Sequence, residues 1–174
     1  GKTTTIKSVA GILQFDAGEI EIDGVSVKKD PIAAKSRIAY IPDNPDLYDF
    51  MSGIKYLNFG ADIFGVSSEE RQEKIRKYAD VFELTKDLAQ PISSYSHGMK
   101  QKLAVISAWI HSPRLIIMDE PSSALDPIAE YELNQSILKN AEGRTVIFIS
   151  HRLSTTRMAD KIYMFDKGEI VESG

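Results

Sequence analysis

Two adjacent carboxylates, Asp119 and Glu120, follow the apolar run Leu115-Ile116-Ile117-Met118. A run of that kind reads as a strand, which delivers the pair to its carboxyl end, where open α/β sheets bind their ligands. Carboxylates so placed suit a metal ion and an attacking water. The first, Asp119, would hold Mg²⁺ through its water shell, and the second, Glu120, would take a proton from the water. In isolation, an Asp-Glu-Pro triplet equally begins a turn. A second group of chemical interest opens the sequence: Gly1-Lys2-Thr3-Thr4 matches the second half of the phosphate-binding pattern G-x-x-x-x-G-K-[ST]. There, backbone N–H groups and the positive end of a helix receive phosphate. Lys2 would neutralise β and γ oxygens, Thr3 would reach Mg²⁺ with its hydroxyl, and Gly1 and Thr4 complete the phosphate-facing turn. The first half of the pattern is expected upstream of Gly1.

Three further segments follow in a fixed order. Tyr95-Ser96-His97-Gly98-Met99-Lys100-Gln101 precedes an apolar helical stretch at 103–110, Ser123-Ala124-Leu125-Asp126 follows the carboxylates, and Thr145 to Ser150 form a strand ending in His151. The first resembles the L-S-G-G-Q signature of ATP-binding cassette proteins, the second their D-loop, and the third the strand that carries their switch histidine. From first residue to last, the sequence is similar to the nucleotide-binding domain of an ABC transporter. Ser96 is by itself a good N-cap, with phosphate suited to the free N–H groups beyond it. The resemblance implies that Ser96, His97, Gly98 and Met99 close over the γ-phosphate of a second nucleotide-binding domain in a head-to-tail homo- or heterodimer, with Asp126 at the interface, and that the 174-residue piece by itself binds and hydrolyses ATP weakly. It also makes His151 a γ-phosphate sensor, whose imidazole donates to phosphoryl oxygen.

Two positions depart from the family pattern. His97 stands where a glycine is expected, so backbone access to a ligand suffers unless the ring turns aside. Asp43, in Tyr40-Ile41-Pro42-Asp43, stands where the family places a nucleotide-sensing glutamine. It remains a hard oxygen ligand for Mg²⁺. Of the other histidines, His111 ends a helix and suits a cationic C-terminal role.

The elements needed to position these groups are legible in outline. A helix is expected over residues 2–13, a strand with period-two alternation at 18–24, another strand at 37–41, and helical pattern over 52–82 with a capping box at Ser67 and Glu70. Strands at 115–118 and 146–149 flank a helix at about 127–139, and residues 161–171 read as a hairpin. The fold class is α/β, a P-loop NTPase core with a parallel central sheet, an inserted helical subdomain at about 49–112 and a remnant β-arm, all in a single domain over 1–174. Tyr48, Phe50, Tyr56, Phe59 and Phe64 read mainly as core. In the family, this region instead forms the groove for a short helix of a transmembrane partner.

With 174 residues and 43% apolar content, the chain suffices for one core. It contains no cysteine, which excludes disulfide and thiolate chemistry. A net charge of −4 and a pI near 5.4 give no basic footprint for nucleic acid. Apolar runs fall far short of the roughly 20 residues of a bilayer helix. The resemblance therefore implies an ATPase subunit using ATP and Mg²⁺, held at the cytoplasmic face of the cell membrane by a permease partner, with export the favoured direction. The alternatives are a soluble cassette ATPase without a membrane partner, or a regulatory nucleotide-binding module in which His97 and Asp43 suppress turnover.

Overall fold

Parallel pairing dominates the centre because three short apolar runs are joined by helical crossovers rather than tight turns. The computed structural model describes residues 1–120, 125–141, 143–150 and 157–174. In chain order these form α1 (Lys2–Val9), β1 (Glu21–Ile22), β2 (Val25–Ser26), α2 (Pro31–Lys35), β3 (Ile38–Ile41), α3 (Gly53–Ile63), α4 (Ser68–Val81) and α5 (His97–Ile110). There follow β4 (Leu115–Asp119), α6 (Pro127–Lys139), β5 (Thr145–Ile149), β6 (Tyr163–Asp166) and β7 (Glu169–Ser173). The sheet order is β3-β4-β5, all parallel, with Ile38 opposite Leu115 and Asp119 opposite Ile149.

Each central strand feeds two cores. Ala39, Ile41, Ile116, Met118, Val146 and Phe148 face a cluster built with α3, α4, α5 and α6. Ile38, Tyr40, Leu115, Ile117 and Ile147 face a second cluster with Ile6, Val9 and Ala10 from the α1 end, Ala34 of α2 and the β1–β2 hairpin. That period-two division explains why β4 is apolar throughout: both faces are covered. At the heart of the helical layer, Trp109 is fully buried, edge-on to Tyr78 at 5.2 Å and to Phe82 at 5.5 Å between ring centroids.

Several boundaries differ from the sequence reading, for local reasons. The first helix stops at Val9 because Gly11 adopts φ +68°, and the N–H groups of Gly11, Ile12 and Leu13 turn back to the carbonyls of Ser8 and Lys7. Instead of one strand at 18–24 there is a hairpin, its turn formed by Asp23 at φ 50° and Gly24 at φ 74°. The short α2 was not anticipated, although Asp30 caps it by accepting from Ala33 N at 3.0 Å and Pro31 opens it. Ser67 does cap α4, accepting from Glu70 N at 3.2 Å. The Glu70 carboxylate, however, pairs with Lys74 one turn on, and Lys74 also donates to the Ile110 carbonyl at 2.9 Å, tying α4 to the end of α5.

Two expectations are corrected. Tyr48, Phe50, Phe59 and Phe64 are exposed rather than core; Tyr48 gathers Phe50, Tyr56 and Phe59 around it at 5.7–6.0 Å. His111 is no helix-terminal cation. Its Nε2–H donates to the Ile38 carbonyl at 3.1 Å and its ring stacks on Phe64 at 3.8 Å, which leaves Nδ1 buried with no partner among the described residues. Burial therefore drives its pKa from 6.5 to about 4, against the opposing pull of the Ile38 carbonyl and with help from Lys74 and Arg144. The unfolded chain takes up a proton that the folded chain refuses, so this contribution to stability is complete above about pH 6.5 and is lost as pH falls towards 4. Thermal unfolding followed from pH 7 to pH 4 should decline less steeply in His111→Gln, which keeps an N–H for Ile38 without titrating.

Candidate functional site

Alternation along β4 decides where the carboxylates emerge. Ile117 belongs to the α1-side core, so Asp119 leaves the sheet on that same face, half-buried at its carboxyl end. There the hydroxyl of Tyr40 donates to Asp119 Oδ2 at 3.1 Å. Desolvation first, then the nearby carboxylate, push the Tyr40 hydroxyl up to about 12, so the phenol keeps its proton. Glu120 adopts φ 50°, which breaks the extended conformation, while its N–H still donates to the Ile149 carbonyl at 3.0 Å. A left-handed non-glycine residue is uncommon; here it turns the second carboxylate off the strand directly after the first.

On the same side of the sheet, α1 begins without any side-chain cap. Gly1, Thr3 and Thr4 are exposed at its start and Lys2 is half-buried. Thr5 and Ser8 spend their hydroxyls on the carbonyls of Gly1 and Thr4, at 3.2 and 3.1 Å. The first turn thus offers backbone N–H groups to an outside acceptor.

Ser96 caps α5, its Oγ accepting from Met99 N at 3.2 Å. His97 is half-buried with its Nε2 turned inward, and no partner for that nitrogen lies among the described residues. At Gly98 a Cβ would stand 3.1 Å from Leu125 Cδ2, so a larger residue there needs that side chain to give way. Asp126 caps α6, accepting from Ile128 N at 3.0 Å and Ala129 N at 3.1 Å, so its carboxylate already has a structural task. Asp43 is exposed just past β3, and its carbonyl accepts from the side-chain amide of the fully buried Gln101. His151 and the Ser123-Ala124 part of the D-loop lie outside the described residues.

The structure therefore brings Tyr40 to Asp119 and Gln101 to Asp43, whereas the hydrogen bonds of Ser96 and Asp126 stay within their own helices. Sequence reasoning missed Tyr40 and Gln101. Period two would have put Tyr40 on the α1 face, and an amide inside the apolar stretch of α5 signals a buried polar partner.

An ABC transporter family profile matches residues 1–123. The chain belongs to the ABC transporter family. It is 35% identical over 176 residues to YhcH of Bacillus subtilis, an uncharacterized ABC transporter ATP-binding protein, covering 99% of this chain and 56% of YhcH. Similarity to the linearmycin resistance ATP-binding protein LnrL of Bacillus subtilis is 30% identity, over 100% of this chain and 57% of LnrL. The chain thus spans little more than half the length of these curated relatives. A solved ATP-binding subunit of an ABC transporter superposes with a TM-score of 0.89 at 31% identity, covering 100% of this chain and 73% of that one. The fold is accordingly α/β with the P-loop NTPase core of that family, and cbiO1 of Clostridium perfringens, at 21% identity and TM-score 0.89, shares the fold.

The Gln101 contact has a measurable consequence. In Gln101→Leu the Asp43 carbonyl loses its donor, so stability should fall by about 1 kcal/mol. Amide exchange should accelerate selectively at Asp43, Asn44 and Asp46, as followed by hydrogen–deuterium exchange.

Proposed function

We propose that this chain binds and hydrolyses ATP in a transporter, driving it by nucleotide-dependent pairing of two copies. The observation that carries this reading is the emergence of Asp119 on the α1 face, with Glu120 next to it, at the carboxyl end of a parallel sheet. Lys2 and the N–H groups of the first turn, from Gly1 to Thr4, take the β- and γ-phosphates. The donor set suits Mg²⁺: hard oxygens from Asp119, the Thr3 hydroxyl and the Asp43 carboxylate. Among the described residues no three His, Asp or Glu side chains converge. A Mg²⁺ site on a nucleotide needs only one or two carboxylates besides phosphate and water. When bound, Mg²⁺ neutralises charge developing on the phosphoryl oxygens.

Water oxygen attacks the γ-phosphorus as the bond to the bridging oxygen breaks. Glu120 takes the water proton and ADP leaves with the bridging oxygen. His151 donates to a γ-phosphate oxygen. Ser96, His97, Gly98 and Met99 offer N–H and hydroxyl donors to the γ-phosphate held by the other copy, with Asp126 at the interface between them. Supporting this, Ser96 is exposed and its cap bond is internal to α5, leaving its hydroxyl proton free for an outside acceptor.

The permease docks where Tyr48, Phe50 and Phe59 are exposed beside the Asp43 loop, receiving a short helix. That partner holds the chain at the cytoplasmic face of the membrane; no helix among the described residues is long and apolar enough to cross one. The direction we favour is export, in keeping with the resistance function named for LnrL.

In the full polypeptide, Glu120→Gln should lower steady-state ATPase by about 100-fold or more while trapping an ATP-bound dimer on size exclusion. Equal rates would instead favour a regulatory module without turnover. Ser96→Asp separates a cap from an anion site: aspartate caps as well as serine, so the melting temperature should hold, while ATP-dependent pairing should be lost to charge repulsion with the γ-phosphate.

A further inference from the structure

Tyr40 and Asp119 lie 79 positions apart in sequence and meet because of the sheet register. Tyr40 stands opposite Ile117 in the β3–β4 ladder, which makes Asp119 its diagonal neighbour on the same face. The ladder already joins these strands from Ile38–Leu115 to Ile41–Met118. A side-chain bond at the rim therefore adds little to strand pairing; what it fixes is the carboxylate. The sense of the bond is single, since an ionised carboxylate only accepts and the phenol only has its proton to give. It engages Oδ2, and among the described residues Oδ1 accepts no hydrogen bond.

We propose that Tyr40 is a positioning residue for the metal: its hydroxyl clamps Asp119 through Oδ2 and presents Oδ1 to the Mg²⁺ of a bound nucleotide. This rests on the ATP site proposed above. Mg²⁺ demands near-ideal octahedral geometry and yields its waters reluctantly. A carboxylate free to rotate about both side-chain torsions meets that demand only part of the time, whereas one locked by a neighbour meets it continuously. Partners of ligating carboxylates commonly carry 10–100-fold in metal affinity or activity. The phenol ring is itself held by packing against the α1-side core, so the clamp does not swing with its target.

Tyr40→Phe removes the hydroxyl and keeps the ring, so the core is undisturbed. The test uses the full polypeptide with the β,γ-imido analogue of ATP, reading Mn²⁺ binding by electron paramagnetic resonance and metal-free nucleotide binding in EDTA. The expected result is a roughly 10-fold higher Mn²⁺ concentration at half-saturation in Tyr40→Phe, with unchanged nucleotide binding in EDTA. Asp119→Asn should lose more. Overlaying Mn²⁺ curves for Tyr40→Phe and wild type, with Asp119→Asn weakened, would overturn the role of Tyr40 and leave the ATP site standing. Equal weakening of metal-free nucleotide binding in Tyr40→Phe would also overturn it, since a clamp on the metal ligand has no reason to act there. Wild type that binds no nucleotide, or an Asp119→Asn curve identical to wild type, would remove the ATP site and this inference together.

Discussion

The register of β4 is the constraint on which the site depends. Ile116, Ile117 and Met118 have no solvent exposure, because helices cover one face of the sheet and α1, α2 and the β1–β2 hairpin cover the other. A charge is tolerable only where that cover ends, at Asp119. Which face it then points to is settled by parity alone: a slip of one residue would send Asp119 to the helical side, away from α1 and from Tyr40. Burying four successive apolar residues on alternate faces makes such a slip costly, since every one of them would change core. Apolar packing along the strand thus fixes the direction of a polar group at its end.

Beyond β3, the chain is held from two sides. Tyr40 reaches across the α1 face to Asp119, and three residues later the Asp43 carbonyl is taken by Gln101 from α5. Gln101 is fully buried, so the bond it makes is shielded from competing water. Any displacement of α5 against the sheet would be felt first at the Asp43 carbonyl, and from there at the strand that carries Tyr40. The loop after β3 therefore couples the helical layer to the carboxylate end of the sheet through two specific hydrogen bonds rather than through general packing.

How much of this was legible follows from the range of the interactions. Local signals were read correctly: the Ser67 cap, the helix at Pro127–Lys139, and the apolar strands at 115–118 and 146–149. Gly11 and Asp30-Pro31 carried equally local signals for the end of α1 and the start of α2, but they fell among polar residues with weak periodicity and went unread. Tyr40–Asp119 and Gln101–Asp43 are of another kind. They depend on register and on helix placement between segments tens of residues apart, neither of which any one segment encodes. The exposed aromatics around Tyr48 failed for a related reason: ring content predicts burial only if something within the same chain covers the rings.

The two helix starts that bear on phosphate differ in a way that composition alone would hide. At α1, Gly1 supplies no side-chain acceptor, so no side-chain cap competes there with an anion. At α5, Ser96 satisfies Met99 N, and the start is stable without a ligand. A serine hydroxyl has two lone pairs and one proton, and the cap uses one lone pair. The proton remains, on an exposed residue. An anion at the first start meets no side-chain cap, whereas one at the second shares the turn with the Ser96 cap and meets the N–H groups of His97 and Gly98 besides the Ser96 proton. The capped start thus holds its geometry whether or not an anion is present, as a donor set lent to another domain's phosphate would require.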